Sequence, residues 1–362
     1  MKTIQLPSIY EALDLIIKYY PDNYTDEAKA EIETLLEHCL DGHAEDSEKF
    51  LSTLFLKALK KYVGNFSIDE HIYLKKYEMP QIQLFNILIK QFPFVKYSQE
   101  ITNTLITRYL KNTEEAIVID IGIGQGVQIK NLLQKSKELT NLKCLHIIGI
   151  EAIPDALNIA GKSIEDISKD LPFDVKFTGL NALIENFDFS SLKSIIDRIG
   201  AKVIVNSSLT LHHIQKLEER NLIIQKIRSL NPEVFFLIEP NVDHYEPNFY
   251  RRFHNCYQHF YHVFKVIDQL PIENTDKNGL KLFFGREIED IIGTGGSERY
   301  EKHEPAFRWI EKLQNNDFKI MNCFAEYDGQ IVDGVKLHYE KEGYLGFTFN
   351  SETVLSIICA TS

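Results

Sequence analysis

Asp120-Ile121-Gly122-Ile123-Gly124-Gln125-Gly126 sets three glycines at alternate positions behind a carboxylate. Glycine lets a backbone turn sharply and lets a ligand approach the chain closely. A dinucleotide-binding turn carries G-x-G-x-x-G, whose helix-start amides meet a pyrophosphate. Here the third glycine comes one residue early, and position 127 is Val. Asp120 would repel a pyrophosphate, whereas it attracts the ammonium of S-adenosylmethionine, whose sulfonium is cationic too. The expected cofactor is therefore S-adenosylmethionine, held by Asp120, Gly122, Gly124, Gln125 and Gly126, with S-adenosylhomocysteine as the product of methyl transfer. Glu151 follows the apolar run Leu145 to Ile150. At that position a carboxylate accepts both ribose hydroxyls of an adenosyl or nicotinamide cofactor. Asn181 and Ala182 are expected near the adenine, a place a surface turn would also suit, and Asn206 completes the cofactor set.

Methyl transfer is an in-line displacement, so an enzyme must align nucleophile, methyl and sulfonium and often remove one proton. Asn206-Ser207-Ser208-Leu209-Thr210-Leu211-His212-His213 offers two candidate bases, His212 and His213, which the sequence does not rank. Histidine titrates near neutrality; the bland alternative is a helix-start histidine making a local hydrogen bond. Glu239 and Asn241 form a second polar cluster, expected to orient substrate or the methionyl part of the cofactor. Adjacent histidines lack a third ligand of suitable spacing, so no metal is expected. The five cysteines (Cys39, Cys144, Cys256, Cys323, Cys359) are scattered and read as buried, reduced thiols.

Positioning these residues requires an α/β frame. Ala116 to Ile119, Leu142 to Ile150, Phe173 to Phe177, Val203 to Val205 and Val234 to Ile238 read as buried strands, with helical stretches between them. This alternation implies a doubly wound sheet with ligands at the carboxyl ends of its strands. The fold class expected is a Rossmann-like methyltransferase fold with a seven-stranded, mostly parallel sheet, an N-terminal helical segment and a helical cap insertion. Residues 1–113 form the helical segment, contributing to the cap, with Pro21 ending its first helix. Residues 114–362 form the cofactor domain, interrupted by an insertion over about 245–285. Tyr257, Phe260, Tyr261 and Phe264 continue an aromatic helix in that insertion, read as packing against the N-terminal helices rather than as a lid. Glu273-Asn274-Thr275-Asp276-Lys277-Asn278-Gly279 reads as a surface loop, Phe318 to Phe324 as a strand, and Leu345 to Phe349 with Val354 to Cys359 as two closing strands.

With 44% hydrophobic and 25% charged residues the 362-residue chain has a globular composition. A formal charge of -12 argues against nucleic acid, whose phosphates call for excess Lys and Arg. No apolar run long enough to span a membrane appears, and the first seven residues lack a signal peptide's apolar core. The expectation is a cytoplasmic protein with a small-molecule substrate; a homodimer is left open.

From about Ile72 onward the chain resembles the GRAS family of plant regulators and bacterial relatives. The resemblance rests on Pro93-Phe94-Val95-Lys96-Tyr97 with Thr102-Asn103, on Val118-Ile119-Asp120 with Gln125-Gly126-Val127-Gln128, and on Val205-Asn206 with Leu211-His212-His213. Asn248 to Phe253, the block Arg299-Tyr300-Glu301-Lys302-His303-Glu304, and Trp309 continue it in order. The resemblance implies a methyltransferase-like fold. Plant members generally lack the full glycine series, consistent with scaffold roles; bacterial members are thought to be S-adenosylmethionine-dependent enzymes on small molecules. Gly122, Gly124 and Gly126 are all present here, and the tryptophan-bearing C-terminal motif is reduced to Cys359-Ala360-Thr361-Ser362. Both features resemble the bacterial branch. The leading expectation is a methyltransferase acting on a hydroxyl or amino group of a small molecule. The alternative is a non-enzymatic GRAS-like binding or regulatory module that keeps the fold, and Asp120 with the glycine spacing disfavours a nicotinamide-dependent oxidoreductase.

Overall fold

The computed structural model describes residues 8–18, 25–63 and 81–362, so Pro21, Ile72 and the first seven residues lie outside the described residues. In chain order the helices and strands are α1 (Ile9–Ile17), α2 (Asp26–Leu40), α3 (Ser47–Val63), α4 (Gln81–Gln91), α5 (Pro93–Leu110), β1 (Glu115–Ile121) and α6 (Val127–Lys135). There follow β2 (Cys144–Glu151), α7 (Pro154–Ser168), β3 (Asp174–Asn181), α8 (Phe189–Ile199), β4 (Lys202–Ser208), α9 (Leu217–Ser229) and β5 (Val234–Pro240). The chain ends with α10 (Phe249–Gln269), α11 (Asn274–Gly293), α12 (Ala306–Asn315), β6 (Lys319–Ile320), β7 (Ile331–Val332), β8 (Val335–Glu340), β9 (Tyr344–Phe349) and β10 (Glu352–Thr361).

The chain divides into two compact units: residues 1–92 with 242–304, and residues 93–241 with 305–362. The second contains the whole sheet, in the order β3-β2-β1-β4-β5-β10-β9-β8-β7, with β6 paired to β10. β1 to β5 run parallel to one another, and from β10 outward the strands join antiparallel. The sheet is thus ten-stranded and mixed, which corrects the expected seven-stranded, mostly parallel sheet. The extra strands are short: β7 and β8 form a hairpin, and the expected strand over 318–324 shrinks to the two residues of β6. Nearly continuous burial of β1, β2, β4 and β5 reflects helices covering both faces, while β3 at the sheet edge is half exposed.

Local chemistry fixes the helices that frame the strand ends. Pro154 occupies the first turn of α7, where its missing N–H costs nothing. Asp188 caps α8, accepting from the Ser190 N–H, and left-handed Gly200 ends it. Below the sheet, Ile117, Ile119, Val205, Ile224, Phe235 and Trp309 belong to one buried core.

The first unit is helical. Phe55 of α3 packs on Phe253 and Tyr257 of α10 with ring centroids 5.0 and 5.1 Å apart. The aromatic stripe of α10 is therefore packed against an N-terminal helix. The expected loop over 273–279 is instead the first turns of α11, a correction with a clear cause. Asn, Thr and Asp are turn formers, but they suit a helix start equally well, where Asp276 meets the positive end of the helix dipole. Among the described residues no helix is long and apolar enough to cross a membrane.

Candidate ligand-binding site

Parallel registry decides which side chains meet at the carboxyl edge of the sheet. Asp120 of β1 lies opposite Asn206 of β4, and Glu151 of β2 opposite Asn181 of β3. Past Ile121 the chain turns: the Gly122 and Ile123 amides both donate to the Ile150 carbonyl, at 2.9 and 3.2 Å. Gly122 has φ +78°, and a Cβ there would come within 2.8 Å of Thr210 Cγ2. Gly126, at φ +75°, leads into α6 with Ala160 directly behind it, so a side chain is excluded on conformational and steric grounds.

Two carboxylates organise this turn. The Glu151 oxygens accept from the Gly124 and Ile153 amides, each at 2.9 Å, tying the glycine loop to the start of α7. Asn181 donates to the Glu151 and Ala152 carbonyls, and the Ala182 amide also bonds the Glu151 carbonyl. These two residues close the β2–β3 edge. Asp120 is buried and accepts from Asn206 Nδ2 at 2.7 Å. Asn206 is bonded in turn to Gln128, and the Gln128 carbonyl accepts from Asn103 of α5 at 2.9 Å. Burial lifts the Asp120 carboxyl to about 7, the Asn206 hydrogen bond works against the rise, and the nearby Glu151 charge adds to it. Gln125 lies half-buried at the tip of the loop.

Further along the edge, Glu239 and His212 are both buried and meet Oε2 to Nδ1 at 2.5 Å. The other Glu239 oxygen accepts from the Leu211 and Thr210 amides at 2.8 and 3.3 Å. Arg220 of α9, also buried, donates to the Ile214 carbonyl at 2.6 Å and to the His212 carbonyl, with its guanidinium over the Trp309 ring. Burial drives both acid–base groups toward their neutral forms: the carboxyl rises to about 8, while the imidazole, further discouraged by the Arg220 charge, falls to about 3. A single proton held between them stabilises the turn after β4, and an imidazole this weakly basic makes a poor proton acceptor at neutral pH. Asn241 is also engaged in the fold, accepting from the Ala306 amide at 2.8 Å and donating to the Thr353 carbonyl. His213 lies half-buried, its ring 4.0 Å from that of His212.

A family model described as the GRAS domain family matches residues 15–355. The chain belongs to the GRAS family. Scarecrow-like protein 1 of Arabidopsis thaliana is 25% identical over 297 residues, covering 76% of this chain and 49% of that protein. Scarecrow-like transcription factor PAT1 of the same plant is 24% identical over 246 residues, covering 64% of this chain and 50% of its own length. The chain thus spans about half the length of these curated relatives. The crystal structure of SCL7 from Oryza sativa superposes with a TM-score of 0.80 at 19% identity, covering 98% of this chain and 99% of that one. That likeness concerns the fold.

Within this GRAS chain, sequence reasoning left four contributors to the site without a role. Asn103 and Gln128 stand in the family-like segments but carry no chemistry that spacing alone reveals. Arg220 looks like any charged helical residue until its burial is known. Thr210 matters only because the turn after β4 folds it over Gly122. Leu209, just before it, takes a left-handed φ of +55° in a non-glycine residue, which sequence patterns do not announce.

Proposed function

We propose that this chain is a GRAS-type binding and regulatory module whose glycine-loop edge takes S-adenosylmethionine as a ligand without transferring its methyl group. The observation that carries the proposal is a contrast along one sheet edge. Asp120 and Glu151 stand close enough to interact electrostatically, and their hydrogen bonds come from neutral amide groups. A cationic ligand relieves that charge, whereas a pyrophosphate adds to it. The Glu239–His212 pair, the best acid–base pair by type, is closed onto the turn after β4. In this reading Asp120 and Glu151 attract the ammonium and ribose ends of the ligand, and the Gly122–Gly126 backbone admits it closely.

The name of PAT1, a transcription factor, favours a regulatory role over an enzymatic one. Intact Gly122, Gly124 and Gly126 favour the bacterial branch of the family, and the charge of -12 favours a small-molecule partner over nucleic acid. The second reading is a methyltransferase acting on a hydroxyl or amino group, with His213 as base, favoured by that residue's half-exposed position beside the buried pair. Incubation with S-adenosylmethionine and a panel of hydroxyl and amino acceptors separates the two. Mass spectrometry is expected to find S-adenosylhomocysteine only at the level of the protein-free control. Formation by the wild type that disappears in His213→Ala would contradict the proposal and establish the second reading.

A further inference from the structure

Within the helical unit, the segment 299–304 is neither helix nor strand and is tied to α11, and it brings the Glu301 and His303 side chains together. Two backbone amides, those of Tyr300 and Glu301, donate to Asp290 of α11 at 2.8 and 2.7 Å. The His244 and Tyr245 amides both bond the His303 carbonyl, and Arg299 Nη1 bonds the His244 carbonyl at 2.7 Å. Three chain segments are thereby clamped together around Glu287, Glu301 and His303, all of them buried.

The ligand-type atoms of these three residues lie within 4.8 Å of one another. His303 Nε2 stands 3.5 Å from a Glu301 oxygen and 3.9 Å from a Glu287 oxygen. Both separations are long for a hydrogen bond. They approach the spacing of about 3.4 Å between ligands placed tetrahedrally about 2.1 Å from one ion. The other His303 nitrogen, Nδ1, meets His244 Nδ1 at 2.6 Å. With the proton on His303 Nδ1, the Nε2 lone pair faces the two carboxylates, as an imidazole ligand steered by an outer hydrogen bond does.

We infer that Glu287, Glu301 and His303 form a binding site for a divalent transition-metal ion of the zinc class, with His244 as the residue that orients His303. The donor set, one imidazole nitrogen and two carboxylates without sulfur, suits zinc and its neighbours, and three protein ligands leave a coordination position open. Glu287 and Glu301 are two carboxylates buried side by side with His303, and a bound cation offsets the cost of burying their charge. Arg252 and Arg299 both donate to backbone carbonyls, Arg252 to those of Ile291, Glu246 and Pro247 and Arg299 to that of His244.

The full chain, stripped with EDTA and titrated with zinc chloride in a calorimeter, is expected to take up about one zinc per chain, with a rise in Tm. Glu287→Gln keeps the side-chain shape and is expected to weaken binding on the order of 10-fold or more while leaving the far-ultraviolet circular dichroism unchanged. X-ray absorption of the zinc-loaded wild type is expected to show nitrogen and oxygen ligands at about 2.0–2.2 Å, including imidazole and no sulfur. That spectrum decides the matter if Glu287→Gln does not fold. No zinc uptake, unchanged affinity in a folded Glu287→Gln, or a sulfur-containing shell would each overturn the site.

Discussion

Asp120 binds its proton more tightly in the folded chain than in the unfolded one, because burial raises its pKa from the ordinary 3.8 to about 7. Its contribution to stability is therefore complete below about pH 4 and lost as pH rises through 7. Asp120→Asn cannot titrate, so the Tm of this variant is expected to gain on the wild type between pH 5 and pH 8. Parallel Tm curves in scanning calorimetry would contradict the assignment. His212 has the opposite sign: its pKa falls from 6.5 to about 3, so its contribution is present above 6.5 and lost as pH falls toward 3. Arg220 carries a further expectation. Arg220→Met removes charge-assisted hydrogen bonds to the Ile214 and His212 carbonyls and leaves those carbonyls unsatisfied. Urea unfolding is expected to show a loss of about 2–4 kcal/mol. A loss below about 0.5 kcal/mol would mean the 211–214 turn does not depend on it.

The glycine loop separates strain from collision. Gly124 has φ +55° with open space around its missing Cβ, whereas Gly122 combines φ +78° with the Thr210 side chain. Gly124→Ala is expected to cost about 1–2 kcal/mol, the usual penalty for a left-handed L-residue. Gly122→Ala is expected to cost more, with part of the excess recovered in the Gly122→Ala/Thr210→Ala double variant; strict additivity of the two single changes would contradict the contact. This loop is legible in sequence because glycine alone takes such angles without a steric penalty. Four of the parallel strands, β1, β2, β4 and β5, are legible for a similar reason, since burial on both faces demands unbroken apolar runs. Less can be read where one pattern serves two structures, as at Asn274-Thr275-Asp276, which begins α11 but resembles a turn. The β7–β8 hairpin does carry a signal, Asp333-Gly334 at φ +46° and +81°, yet its strands are too short to show alternation.

Over the whole chain, the helical unit is assembled from two stretches separated by the first five strands, and α5 belongs with the sheet although its texture matches α1 to α4. Local periodicity reports that a helix buries a face and is silent on which partner it buries it against. Without residues 1–92 the α10 side chains Phe253, Tyr257 and Phe264 lose Phe50 and Phe55, their aromatic partners from α3. A chain beginning at Pro93 is expected to aggregate in size-exclusion chromatography, because so large an exposed apolar patch favours association. A monodisperse monomer would show that α10 and α11 stand without α3. The claim on which function rests is that Asp120, Glu151 and the glycine loop hold S-adenosylmethionine, and calorimetric titration tests it most directly. Wild-type protein is expected to bind S-adenosylmethionine with a Kd on the order of 10 μM or tighter, while Asp120→Ala and Glu151→Ala lose binding. Absence of heat and of any Tm rise with the wild type, or affinity unchanged in both variants, would contradict it.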